Sequence, residues 1–104
     1  MQAFRDGIRP FPDGAIIARL AYNYEVSAQN NAVFGREQSF VAGDPTNLQI
    51  EIKDSKRFAS TGGWGYGQFE EGKANPSEKL ANSCFACHNK LPAATDLIFT
   101  RYSR

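Results

Sequence analysis

The residues best suited to chemistry in this chain lie within five positions of one another, Cys84-Phe85-Ala86-Cys87-His88, and they include both cysteines and the only histidine. The pattern C-x-x-C-H is the spacing of c-type haem attachment. Residues three and four apart share a helix face. Two thiols so placed reach two vinyl groups along one porphyrin edge, and the imidazole that follows lies under the ring centre as an axial iron ligand. The implied cofactor is one haem c, held covalently by Cys84 and Cys87 with His88 on the metal.

Three other uses of these residues fit less well. A thioredoxin-like pair precedes its helix within a βαβ pattern and usually has Pro or Gly between the cysteines, whereas Phe85 and Ala86 stand here. A zinc site needs about four ligands, and the chain offers three soft ones. A disulfide across two intervening helical residues is strained. The remaining ligand inventory is informative in its own right. Electron-transfer haems usually take a second axial ligand from Met or His, but the only Met is Met1 and there is no second His. Lys, Tyr and the terminal amine are less usual ligands. A five-coordinate or water-capped iron, open to small molecules, is therefore expected.

The elements that must position this motif follow from turn chemistry and periodicity. Asn75-Pro76-Ser77-Glu78 reads as a helix start, with Asn75 as cap, Pro76 at the first position and Glu78 at the capping-box position. The helix is expected to run to about Leu91, before Pro92, with Leu80, Cys84, Cys87, His88 and Leu91 on one face. Upstream, Asp6-Gly7 and Asp13-Gly14 mark turns. Residues Ala15 to Val26 alternate as a strand, with Ile16, Ala18, Leu20, Tyr22 and Tyr24 as an apolar face and Ile17, Arg19, Ala21, Asn23 and Glu25 as a mixed one. Ser27 to Phe40 is polar and suits a loop or hairpin connection, and Gly43-Asp44-Pro45 reads as a turn. Leu48 to Lys53 alternates as a half-exposed strand, and Asp54 to Phe58 suits one helical turn. Gly62 to Phe69 interleaves aromatics with glycines, which mark a bulge or the close approach of something flat. Leu97 to Tyr102 reads as a last strand. The predicted class is mainly β (α+β), an antiparallel sheet with a C-terminal haem-bearing helix, forming one domain over 1–104.

Composition agrees. A chain of 104 residues with 41% hydrophobic content, eight Phe and four Tyr can line a pocket for a flat apolar cofactor. Its net charge of +1 argues against nucleic acid as a partner. No apolar run approaches the ~18 residues of a membrane span. Met1-Gln2-Ala3-Phe4 reads as mid-domain sequence, so a leader and part of the domain are expected to precede it.

Four segments, in this order and spacing, resemble the cytochrome P-460 family, which includes the cytochromes c′-beta. They are Phe11-Pro12-Asp13-Gly14-Ala15, then Lys53 to Ala59 with Gly62-Gly63-Trp64-Gly65-Tyr66, then Cys84-x-x-Cys87-His88, and Asp96 to Tyr102. The similarity covers the chain from about Phe4 onward. The resemblance implies a mostly antiparallel β fold carrying a c-type haem, exported to the periplasm and usually a homodimer, with a possible redox partner protein. Relatives generally carry a further N-terminal helix and strand, which is not found here. It also implies one of two activities. One branch oxidises hydroxylamine with a haem cross-linked to a lysine; the other lacks the link and binds nitric oxide or carbon monoxide in an apolar pocket. Arg19 stands where the cross-linking lysine is expected. A guanidinium stays protonated and is not a nucleophile, so the resemblance favours ligand binding over catalysis, and no catalytic residue is assigned. Lys53 and Lys56 are the conceivable substitutes, without support from spacing.

Around the motif, Arg19 is a candidate for the pocket or for a haem propionate, against the plain alternative of a solvated strand residue. Trp64, Tyr66 and Phe99 are candidate haem-binding residues, with Phe69 and Tyr102 behind them; ordinary packing is the alternative for each. Phe85 is a candidate cover for the haem edge and Arg101 a candidate propionate partner. Asp96 is a candidate acceptor for the second ring N–H of His88, although a cap or loop role is the commoner one.

Overall fold

The computed structural model describes residues 1–75 and 77–102. The order is α1 (Gln2–Arg5), β1 (Ile16–Val26), α2 (Ala28–Phe34), β2 (Phe40–Lys53), a 3-10 turn (Ala59–Thr61), β3 (Trp64–Glu70), β4 (Lys73–Asn75), α3 (Glu78–His88) and a second 3-10 turn (Ala93–Thr95). The four strands form one antiparallel sheet in the order β1-β2-β3-β4. The α+β class and the haem-motif helix near the C-terminus are as expected.

β1 and β2 form a long hairpin whose connection is more ordered than its polarity suggests. The Ser27 hydroxyl accepts from the Asn30 N–H at 3.4 Å and caps α2, which ends at Gly35 in the left-handed region, φ 69°. Asn31 Oδ1 then accepts from the Gln38 and Ser39 N–H groups at 3.0 and 2.8 Å, so side chains close the loop. The expected turn at Gly43-Asp44-Pro45 is absent; these residues lie inside β2. The register slips there, from Ala21↔Asn47 to Tyr22↔Pro45 and Tyr24↔Ala42. Such an irregularity accommodates a proline, which has no N–H for the ladder.

α3 begins at Glu78 behind Ser77, whose N–H donates to Asn75 Oδ1 at 3.2 Å; Pro76 lies outside the described residues. The helix ends at His88 rather than Leu91. Lys90 and Leu91 donate to the Cys87 and His88 carbonyls at 3.2 and 3.0 Å, i→i+3 bonds that tighten the chain out of the α-helix. The expected last strand is also absent. Asp96 and Leu97 take positive φ, 51° and 63°, which turns the chain away from any extended course, and their polar atoms bond elsewhere.

Alternation along the sheet creates two unlike faces. One carries Ile16, Ala18 and Leu20, then Ile52, Ile50 and Leu48, then Gly65, Gly67 and Phe69, aligned by direct pairing. The other carries Ile17, Arg19 and Ala21, then Lys53, Glu51, Gln49 and Asn47, then Trp64, Tyr66 and Gln68. The core lies on this second, mixed face. Phe11, Trp64 and Ile98 are buried there, with Phe4, Ala15, Ile17, Tyr66 and Leu97 packed around them. The apolar face of β1 stays largely open, Leu20 at 60% and Tyr24 at 77% exposed. The molecule extends 54 × 34 × 23 Å with a radius of gyration of 17.1 Å, against ~13 Å for a compact chain of this length.

Candidate functional site

α3 presents its motif toward the mixed face of the sheet. Cys84 is half-buried, Cys87 is exposed, and both thiols are free. His88, the last helical residue, is half-buried. Its Nδ1 lies 2.7 Å from the Leu97 carbonyl. A carbonyl can only accept, so Nδ1 carries a proton and Nε2 is the ring nitrogen left to bind a metal. That nitrogen faces the sheet, with Glu51 Oε1 at 3.6 Å. The Tyr66 ring lies 5.2 Å from the imidazole and the Phe99 ring meets it edge-on at 4.7 Å.

Glu51 and Tyr66 are direct partners across β2 and β3, which brings both beside His88. Glu51 Oε2 and the Tyr66 hydroxyl are buried without hydrogen-bond partners. Burial pushes the Glu51 carboxyl up from the usual carboxylate range, while the neighbouring His88 opposes that shift. The Tyr66 phenol is also raised, by burial first and then by the charge of Glu51. The Cys84 thiol is raised by burial and by Glu51. Farther along this face the side chains bond across three strands. Arg19 Nη1 donates to Gln49 Oε1 at 3.0 Å, Gln49 Nε2 to Gln68 Oε1 at 2.9 Å, and Gln68 Nε2 to Glu70.

The candidate residues thus divide. Tyr66 and Phe99 flank His88, and Arg19, though exposed, shares the face that His88 meets. Trp64 is fully buried against Phe11 at 5.7 Å between ring centres, and its indole N–H donates to the Asp96 carbonyl at 2.9 Å. Phe69 is on the opposite, apolar face, because it is out of phase with Trp64 and Tyr66. Tyr102 packs edge-on against Phe4, 6.1 Å away. Phe85 turns toward Gly62, and Arg101 is exposed. Asp96 does not accept from His88; its backbone neighbour Leu97 does. Glu51 is the site residue that sequence reasoning missed. On an alternating strand it reads as solvent-facing, and only the pairing with Tyr66 reveals otherwise.

The donor set fits a haem better than a chelated ion. Among the described residues, no three His, Cys, Asp or Glu side chains gather closely enough to hold a metal. One imidazole is oriented through Nδ1, two free thiols precede it on its helix, and polar atoms without partners among the described residues stand opposite. Two clefts of about 590 and 650 Å³ lie elsewhere. The first adjoins α1 and the start of β1; the second lies on the apolar face beside Glu78, Ala81 and Asn82. Neither is lined by Cys84, Cys87 or His88.

The family model described as Cytochrome P460 matches residues 1–100 of the chain. No curated protein matches it.

Proposed function

The chain belongs to the cytochrome P460 family of haem-binding cytochromes, and from that premise we propose that it is a periplasmic mono-haem c-type cytochrome that binds a small gaseous or nitrogen-oxide ligand. Cys84 and Cys87 would hold such a haem through thioethers, and His88 would ligate its iron. The observation that carries this reading is the orientation of His88: the Leu97 carbonyl at 2.7 Å holds Nδ1 and leaves Nε2 free. The sequence contains no second His and no Met beyond Met1, which supports an iron that would bind an external ligand. When bound, the haem supplies an iron centre able to take nitric oxide, carbon monoxide or a similar molecule.

The chain's own residues shape that site. His88 fixes the metal relative to α3. Glu51 and Tyr66, both on the face that His88 meets, offer buried polar atoms to a bound ligand or to the water that precedes it. Burial pushes the Glu51 carboxyl up, against the pull of His88, and its Oε2 has no hydrogen-bond partner among the described residues. Arg19 extends this polar ladder and is available to a haem propionate.

Hydroxylamine oxidation is the second reading, favoured by one observation: a buried carboxyl beside the axial histidine is placed to take protons from a bound substrate. Its lysine cross-link lacks a nucleophile at the expected position. Arg19 is not nucleophilic, and the Lys53 ammonium is engaged by Asp96 at 2.6 Å and the Gly62 carbonyl at 3.3 Å. A simple electron carrier lacks the second strong ligand.

The test is to express the chain in a host with a haem-attachment system. Mass spectrometry of the denatured protein should show one added haem, and ferrous spectra should change on adding carbon monoxide. An unmodified chain defeats the cofactor assignment. A low-spin bis-nitrogen or His–Met signature in paramagnetic resonance defeats the open-site assignment and revives the electron carrier.

A further inference from the structure

We infer that the buried Lys53–Asp96 ion pair is a positioning device for His88: it anchors the turn whose Leu97 carbonyl holds the imidazole. The inference deepens the reading of His88 as an iron ligand and rests on it.

Two successive non-glycine residues, Asp96 and Leu97, occupy the left-handed region. Asp visits that region with some ease, but for Leu it is uncommon. Such a conformation persists only where its surroundings over-determine it, and here they do. Asp96 Oδ1 accepts from Lys53 Nζ at 2.6 Å, Oδ2 from the Phe11 N–H at 2.8 Å, and the Asp96 carbonyl from Trp64 Nε1 at 2.9 Å. The Asp96 N–H donates to the Ala93 carbonyl at 3.0 Å. Every polar atom of Asp96 is therefore engaged, by groups from the N-terminal loop, the end of β2, the start of β3 and its own 3-10 turn. Lys53 also donates to the Gly62 carbonyl at 3.3 Å. The Leu97 side chain fills the space over Gly62, where a β-carbon would stand 2.6 Å from Leu97 Cδ1. Held on both sides, the peptide after Leu97 points its carbonyl at His88 Nδ1, 2.7 Å away.

An ion pair whose side chains are 6% and 10% exposed is an expensive way to fill space, because desolvation offsets most of its attraction. Its use here is geometric. It connects four segments at the one point from which a backbone carbonyl orients the imidazole. A hydrogen bond to the distant ring nitrogen fixes ring orientation and raises ligand basicity. Lys53 and Asp96 thus act on the iron through Leu97 without touching it.

The experiment uses the haem-loaded protein, with the ferrous iron–histidine stretch read by resonance Raman and the midpoint potential by redox titration. Lys53→Met and Asp96→Asn are compared with wild type, and Phe4→Ala serves as a core-destabilising control. The expected result is a broader iron–histidine band at lower frequency and a higher potential in both ion-pair variants, as the ligand loses basicity, with the control unchanged in both. Trp64→Phe, which deletes a single donor to Asp96, should give a smaller shift of the same sign. Should the ion-pair variants fail to retain haem, the wild type still decides. In its ferrous carbon monoxide complex the His88 Nδ1–H should exchange with solvent many-fold more slowly than a free imidazole N–H, and fast exchange overturns the inference. An iron–histidine band identical in wild type and folded variants also overturns it while leaving His88 as the ligand. A wild type with no such band overturns the ligand assignment and this inference together.

Discussion

At the scale of single residues, the chemistry of this chain turns on which cations are free. Arg19 occupies the position from which a lysine is expected to reach the haem, and its guanidinium bonds Gln49 instead. The wild-type ferrous spectrum should therefore be that of an ordinary c-type haem, without a red-shifted Soret band. Arg19→Lys should gain either that band or hydroxylamine turnover; a shifted band in the wild type would show that another amine forms the link. Lys53 is the other informative cation. Lys53→Met leaves the Asp96 carboxylate buried and unpaired, and breaking a buried pair from one side costs about 3–5 kcal/mol, readable as a lower midpoint in urea. The legibility of these residues was uneven. Cys84, Cys87 and His88 stand out because thioether chemistry demands a spacing that chance rarely supplies. Lys53 and Glu51 did not, because a charged residue on an alternating strand looks the same whether it meets water or another segment. Asp96 was noticed for the right neighbourhood and the wrong bond: a side chain's partner is visible as chemistry in a sequence, whereas a backbone carbonyl is contributed by every residue alike.

At the scale of elements, the strands Ile16–Val26 and Trp64–Glu70 and the second half of Phe40–Lys53 express alternation that is plain in the sequence. The parts that resisted reading are those where side chains or backbone bonds replace periodicity: the capped helix after β1, the strand that passes through Gly43-Asp44-Pro45, and the 96–97 turn. The glycines of β3 illustrate the point. A flat neighbour is expected there, and at Gly65 it is the Phe58 ring, which occupies the space a β-carbon would need. Gly65→Ala must push that ring aside, at about 1–3 kcal/mol, and should lower the melting temperature without altering the haem spectrum. A second element-level test concerns the turn before β1. Asp13 accepts from the Ser55 hydroxyl at 2.7 Å and its N–H at 2.8 Å, and these bonds hold the Asp13 carboxyl below its ordinary value of 3.8. A depressed folded-state pKa contributes stability above the unfolded value, and that contribution fades as pH falls through the folded one. Asp13→Asn should thus melt slightly below wild type at neutral pH, and the difference should close in acid. A gap that persists at low pH would mean that Asp13 acts through shape rather than charge.

At the scale of the molecule, the open apolar face stands out. Ile16, Leu20, Tyr22, Tyr24, Val26 and Phe40 are all about half exposed or more on or beside the β1–β2 hairpin. Contiguous apolar surface of this kind marks an interaction site. We propose a second copy of the chain as its occupant, consistent with the homodimer expected from the family resemblance. Sedimentation of the wild type should give twice the chain mass, and Leu20→Lys with Tyr24→Asp should shift it to one. A wild-type monomer at micromolar concentration would refute the pairing. The long hairpin and the Asp96 anchor also differ in how they must form. β1 and β2 are consecutive, and each pair in their ladder beyond the capped loop closes only a short further distance along the chain. The bond from the Phe11 N–H to Asp96 spans 85 positions, most of the chain, and it closes a large loop. Loop-closure entropy rises with that length, though slowly. The carbonyl that steadies His88 is therefore delivered only when both ends of the chain have met. If haem is attached as proposed, a nascent chain could display its two thiols and histidine before the imidazole is held, and attachment and final ligand geometry would be separable events.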